Sequence, residues 1–139
     1  MSMFLSLRSK LILTVFVTSL LLAPPVKAQH LNVKDLLRNT PSTRLQFSPF
    51  TVGVVIRGAT DRVYTLNLKK GNSLEINVDN TGARAGVYVF DTNGKQLAVL
   101  TANAKRNNFT YEVPSSGDYY IFCYGGPTNH FYGLTVTAE

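Results

Sequence analysis

The sequence has one cysteine, Cys123, no tryptophan, and only 16% charged residues in 139. A lone cysteine excludes an internal disulfide, and its place in the apolar run Tyr119 to Tyr124 reads as a buried thiol rather than a reactive one. The absence of tryptophan weakens any reading of the chain as a stacking platform for sugars. Long hydrophobic stretches are also missing. The longest, Leu11 to Ala23, spans about 20 Å as a helix, short of the roughly 30 Å of a bilayer core. No helical periodicity appears after residue 41, and there is no internal repeat or low-complexity tract. A chain of this length makes one domain, which excludes two-domain enzymes and large cofactor folds.

What is present divides at residue 28. Arg8 and Lys10 precede the apolar run; Pro24-Pro25 and Val26-Lys27-Ala28 follow it, with compact residues where a signal peptidase needs them. Residues 1–28 therefore read as an export signal, and the mature protein as periplasmic or secreted, with no membrane anchor once the signal is cleaved. Removing the signal takes three of the 14 basic groups and none of the eight acidic ones, so the formal charge falls from +6 to +3. That mild balance does not suggest nucleic acid as a partner. A small exported domain without disulfides must be held by its core.

Residues 29–43 read as a short helix and linker. Val33, Leu36 and Leu37 fall at i, i+3 and i+4, Asn32 is placed to cap, and Pro41 ends the helix. From Arg44 the period changes to two. Tyr64, Leu66 and Leu68 alternate with polar partners, and so do Leu74, Ile76 and Val78 after the turn Lys69 to Asn72, a pattern expected to form a hairpin. Val87 and Val89 lead into Asp91 to Lys95, whose Asn93-Gly94 is the strongest short hairpin signal, and Gln96 to Leu100 returns. Phe109, Tyr111 and Val113 precede the turn Pro114 to Asp118. Tyr119 to Tyr124 and Tyr132 to Val136 close residues 44–139. Short strands between regular turns predict an all-β antiparallel sandwich, jelly-roll-like, with eight or nine strands.

The order Asp61-Arg62-Val63-Tyr64-Thr65-Leu66, Lys70-Gly71-Asn72-Ser73-Leu74, Val89 to Gly94, Val113 to Ile121 and Tyr132-Gly133-Leu134-Thr135-Val136 resembles bacterial pre-peptidase C-terminal domains. The resemblance covers about residues 44–138 and implies a β-sandwich that binds rather than catalyses. The chain is also similar to the periplasmic inhibitors of goose-type lysozyme, which carry a Ser-Gly-x-Tyr loop matched here by Ser116, Gly117, Asp118 and Tyr119. In such inhibitors the loop is expected to enter the lysozyme cleft and bond its catalytic carboxylates. Ordinary turn chemistry also explains those four residues, with Gly117 at positive φ and Tyr119 opening a core strand.

If Tyr119, Ile121 and Cys123 face inward, alternation sends Tyr120, Phe122 and Tyr124 outward, where Phe131 is expected to join them from the neighbouring strand. Such a row would serve as a platform for a glycan ring or a protein partner; alternatively the N-terminal helix covers it. His30 and His130 have no nucleophile or carboxylate at suggestive spacing. Asp91-x-Asn93-Gly94 lacks the remaining oxygen ligands of a calcium loop. The pairs Lys69-Lys70 and Lys105-Arg106 read as solvated hairpin ends, and the sequon at Asn108 as incidental. The sequence thus predicts a non-enzymatic binding module for an exported protein or a peptidoglycan or other glycan target, without cofactor or metal. The alternative is a lysozyme as partner, engaged through the Ser-Gly-x-Tyr loop.

Overall fold

Asn32 is an N-cap: its side-chain oxygen accepts the N–H groups of Lys34 and Asp35 at 2.9 and 3.4 Å, leaving fewer first-turn donors unpaired. The helix it caps, α1, runs Val33–Asn39. Asp35 in its first turn and Arg38 in its last oppose the helix dipole and pair with each other at 3.6 Å. Thr40 donates back to the Leu36 carbonyl, and Pro41 follows. The computed structural model describes residues 31–47, 53–82, 84–101 and 107–139. The expected export signal, His30, Lys105 and Arg106 lie outside them. Among the described residues no helix is long and apolar enough to cross a membrane.

Nine strands follow: β1 Ser42–Leu45, β2 Gly53–Gly58, β3 Arg62–Leu68, β4 Ser73–Thr81, β5 Gly86–Phe90, β6 Gln96–Leu100, β7 Asn108–Glu112, β8 Gly117–Tyr124 and β9 Tyr132–Ala138. They form a five-stranded sheet in the order β1-β3-β8-β5-β6 and a four-stranded sheet in the order β2-β9-β4-β7. All pairings are antiparallel except β1 with β3. The expected sandwich is the observed fold.

The hairpin expected from β3 and β4 is not formed. β3 bonds β1 and β8, whereas β4 bonds β7 and β9 in the other sheet. Alternation states that one face of each strand is buried, and the turn at Lys69 to Asn72 carries the chain across the roughly 10 Å between sheets instead of folding it back within one. Among the described residues only β5 and β6 are both consecutive and paired. Their turn closes through Gly94 N–H to the Asp91 carbonyl and Asp91 N–H to the Lys95 carbonyl. Gly94 takes φ 81°, and the ladder shifts register between Val89 and Phe90. This is the longer type I turn with a bulge rather than the two-residue Asn-Gly turn.

Between the sheets, Leu66, Tyr119, Ile121, Cys123, Val87, Val89 and Leu100 from one side meet Leu74, Ile76, Leu134 and Val136 from the other, each at most 1% exposed. Burial of each such aliphatic side chain contributes about 1.5–3 kcal/mol. Cys123 is a free thiol within this layer, and burial pushes its pKa up, away from reactivity.

Candidate functional site

The outer face of the five-stranded sheet is unusual in carrying buried side chains of its own. Register aligns Val63, Phe122 and Tyr88 in one row across β3, β8 and β5, and Thr65, Tyr120 and Phe90 in the next. Val63, Phe90 and Phe122 are at most 4% exposed although they stand outside the inter-sheet core. The helix segment is tied to this sheet at two places. At one end the Pro41 carbonyl accepts the Val63 N–H at 2.9 Å. At the other, buried Val33 sits 3.7 Å from where a Cβ on Gly94 would lie, beyond the end of β5. A segment fixed beside β3 and beside the β5–β6 turn must pass over β8, because the inner face is already filled.

The helix leaves one corner open. Tyr88 and Tyr124 are half-buried, flanking Phe122 with ring centroids 5.8 and 6.0 Å from it. Gly86 pairs with Tyr124 and places no side chain beside it, while Val99, opposite Tyr88, is 40% exposed. Burial, then the neighbouring Tyr124, raises the pKa of the Tyr88 phenol. The corner thus carries two phenols above an aromatic floor.

The residues expected on this face divide. Tyr120, Phe122 and Tyr124 do stand on it, with Phe122 as floor rather than surface. Phe131 does not join them: it is 51% exposed and precedes β9, which lies in the other sheet. Alternation gives the face of a residue but not the sheet of its strand. Tyr88 and Val99 were missed, although Val87 and Val89 facing inward already sends Tyr88 outward.

At one end of the sandwich, Ser116 is exposed and its Oγ accepts the Lys70 N–H at 2.9 Å. Gly117 has φ 152°, and a Cβ there would lie 2.8 Å from Thr92 Cγ2. Asp118 receives both terminal nitrogens of Arg44 at 3.1 Å, and Asn67 Nδ2 at 3.1 Å. Those hydrogen bonds, Arg44 first, hold its carboxyl below the ordinary range. Tyr119 is 1% exposed, and its hydroxyl donates to the Ser115 carbonyl at 2.7 Å. The four loop residues thus face different surroundings: Ser116 meets solvent, while the Tyr119 ring is core. Arg44 carried no sequence signal, its partner lying 74 positions away.

Of the other residues singled out, Asp91 Oδ1 accepts the N–H groups of Asn93 and Lys95, which is turn closure. Asn108 Nδ2 donates to Asn77 Oδ1 across β7 and β4. His130 packs near Gly82.

The fold and this surface define a two-layer β-sandwich whose outer face, rather than an enclosed cleft, carries its aromatic chemistry. Within it, residues 61–125, from the start of β3 to the end of β8, match the bacterial pre-peptidase C-terminal domain. Two solved structures share the architecture. The periplasmic inhibitor of g-type lysozyme from Aeromonas hydrophila superposes with a TM-score of 0.56 at 18% identity, covering 72% of this chain and 97% of its own. The corresponding inhibitor from Salmonella Typhimurium gives 0.51 at 16% identity, covering 73% and 100%. At such identities the likeness is one of fold. No curated protein matches the chain. The similarity to pre-peptidase C-terminal domains, legible in the order of strands and turns, holds in the match over residues 61–125, and that to the inhibitors holds as a likeness of fold.

Proposed function

We propose that the protein is a non-enzymatic binding module of the exported compartment that engages an envelope protein or glycan through the outer face of its five-stranded sheet. The ring set Tyr88, Phe122 and Tyr124 carries this reading. Large side chains held by a sheet offer contact area with little entropy left to lose, and the buried Phe122 beneath them fixes their positions. The pre-peptidase C-terminal match supports the same reading, since the resemblance implies binding rather than catalysis. Co-sedimentation with isolated cell envelopes tests it. Tyr124→Ala should lower the apparent affinity about tenfold, the loss of one well-seated aromatic contact, with the fold retained. An unchanged bound fraction overturns the assignment of this face.

Ser116 favours a second reading, inhibition of a goose-type lysozyme in the periplasm. A hydroxyl that accepts the Lys70 N–H still has a proton to donate, suited to a carboxylate in an enzyme cleft. Two solved structures of similar fold are periplasmic inhibitors of g-type lysozyme. In this reading Tyr119 acts from the core, by holding the Ser115 carbonyl and hence the loop. Lysis assays with goose-, chicken- and invertebrate-type lysozymes decide: inhibition of the goose type alone, abolished by Ser116→Ala, establishes it. Lysis unaffected by micromolar protein removes it.

A further inference from the structure

The end of β1 carries a feature that the aromatic corner and the Ser116 loop do not include. A cavity of about 380 Å³ opens at the edge of the five-stranded sheet, lined by Arg44, Leu45, Gln46, Phe47 and Asn67. Its volume lies within the range of small-ligand sites. One wall is apolar: Leu45 and Phe47 are half-buried against the inter-sheet core. The other is planar and polar. Arg44 gives one N–H from each terminal nitrogen to Asp118, and Asn67 gives one N–H to the same carboxylate. A guanidinium has five N–H groups and a primary amide has two, plus a carbonyl, so both retain capacity toward the cavity; the exposed Gln46 adds a second amide.

Charge selects among ligands. An anion entering beside Arg44 meets a guanidinium already donating to both carboxylate oxygens of Asp118, at 3.1 Å each. The pair presents little net field, so an anionic ligand gains little from it. Hydroxyl and acetamido groups, which both donate and accept, use the remaining donors and the two amide carbonyls fully, while a ring face packs against Phe47. We infer that this cavity is a saccharide site, taking an uncharged sugar unit of an envelope glycan. The inference rests on the binding-module reading and deepens it by naming the ligand class and a place apart from the Tyr88–Tyr124 corner.

Amide chemical-shift mapping of the purified protein with tetra-N-acetylchitotetraose, and with an oligogalacturonate of the same length as anionic control, tests it. The neutral tetramer should shift Arg44 to Phe47 and Asn67, with the anionic one at least tenfold weaker. Gln46→Ala, at an exposed position, should weaken the neutral tetramer about tenfold while leaving the rest of the spectrum in place. Phe47→Leu keeps an apolar wall, removes the ring face, and should weaken it as well. Shifts confined to Tyr88 and Tyr124 would overturn the cavity while sparing the module reading. No shift with either sugar, or equal binding of both, overturns the inference, and envelope capture by Tyr124 then stands or falls separately.

Discussion

Tyr119 donates its hydroxyl to a carbonyl four residues earlier while its ring fills the core, so a single side chain fixes both the β8 strand and the loop before it. Tyr119→Phe keeps the ring and deletes only the hydrogen bond, and should cost about 1 kcal/mol in urea unfolding. Tyr119→Ala adds a cavity and should cost about 3–5 kcal/mol. An unshifted midpoint for the phenylalanine variant would mean that the bond does not hold the loop. Asp118 gives a pH signature. Its folded carboxyl lies below the ordinary 3.8, so its contribution is present above that value and lost as the pH falls through the depressed one. Stability between pH 5 and 2, followed by thermal unfolding, should therefore fall less steeply in Asp118→Asn than in the wild type, and salt should narrow the difference because the pair is partly exposed. The inward placement of Tyr119, Ile121 and Cys123 was legible from alternation alone. Arg44 was not, because an ion pair between residues 74 positions apart depends on which strands become neighbours.

At the scale of elements, α1 is the piece whose role sequence could name only as an alternative. Its cap and stop were readable from Asn32 and Pro41; of the expected stripe Val33, Leu36 and Leu37, only Val33 is buried and Leu37 is exposed, because the short helix turns a single residue onto the sheet. The segment is tied to this sheet at Val63 through Pro41 and at Gly94 through Val33, and Val63, Phe90 and Phe122 are buried on its outer face, so that face is part core and part surface. Asn32→Ala removes the acceptor for two N–H groups and should cost about 1 kcal/mol locally. Deleting residues 32–41 should lower stability by about 2 kcal/mol or more, from the loss of Val33 burial and the uncovering of Phe122, and should raise binding of a hydrophobic dye. Unchanged unfolding and dye binding would show that the helix covers nothing. The same scale explains the misplaced hairpin: the pattern of β3 and β4 is identical whether the turn between them stays in one sheet or crosses to the next. Asn93-Gly94 did mark a true hairpin, because there the turn residues themselves close the backbone.

For the whole molecule, period-two runs and turns sufficed to specify a sandwich, since alternation buries one face of each strand and two such sheets have only each other to cover. The proposed binding surface was less legible because it is assembled from β5, β6 and β8, and only β8 announced itself through Tyr120, Phe122 and Tyr124. Tyr88 and Val99 complete the open corner, whereas Phe131 stands on the other sheet. The proposed function is that this corner, on a two-layer scaffold, captures an envelope target. Its most direct measurement is the affinity of the purified protein for isolated envelopes, comparing the double variant Tyr88→Ala/Tyr124→Ala with Ser116→Ala. The double variant, still folded, should lose affinity by about tenfold or more, the two ring contacts being coupled through Phe122, while Ser116→Ala should bind as the wild type does. Full binding by the double variant, with loss in Ser116→Ala, would contradict it.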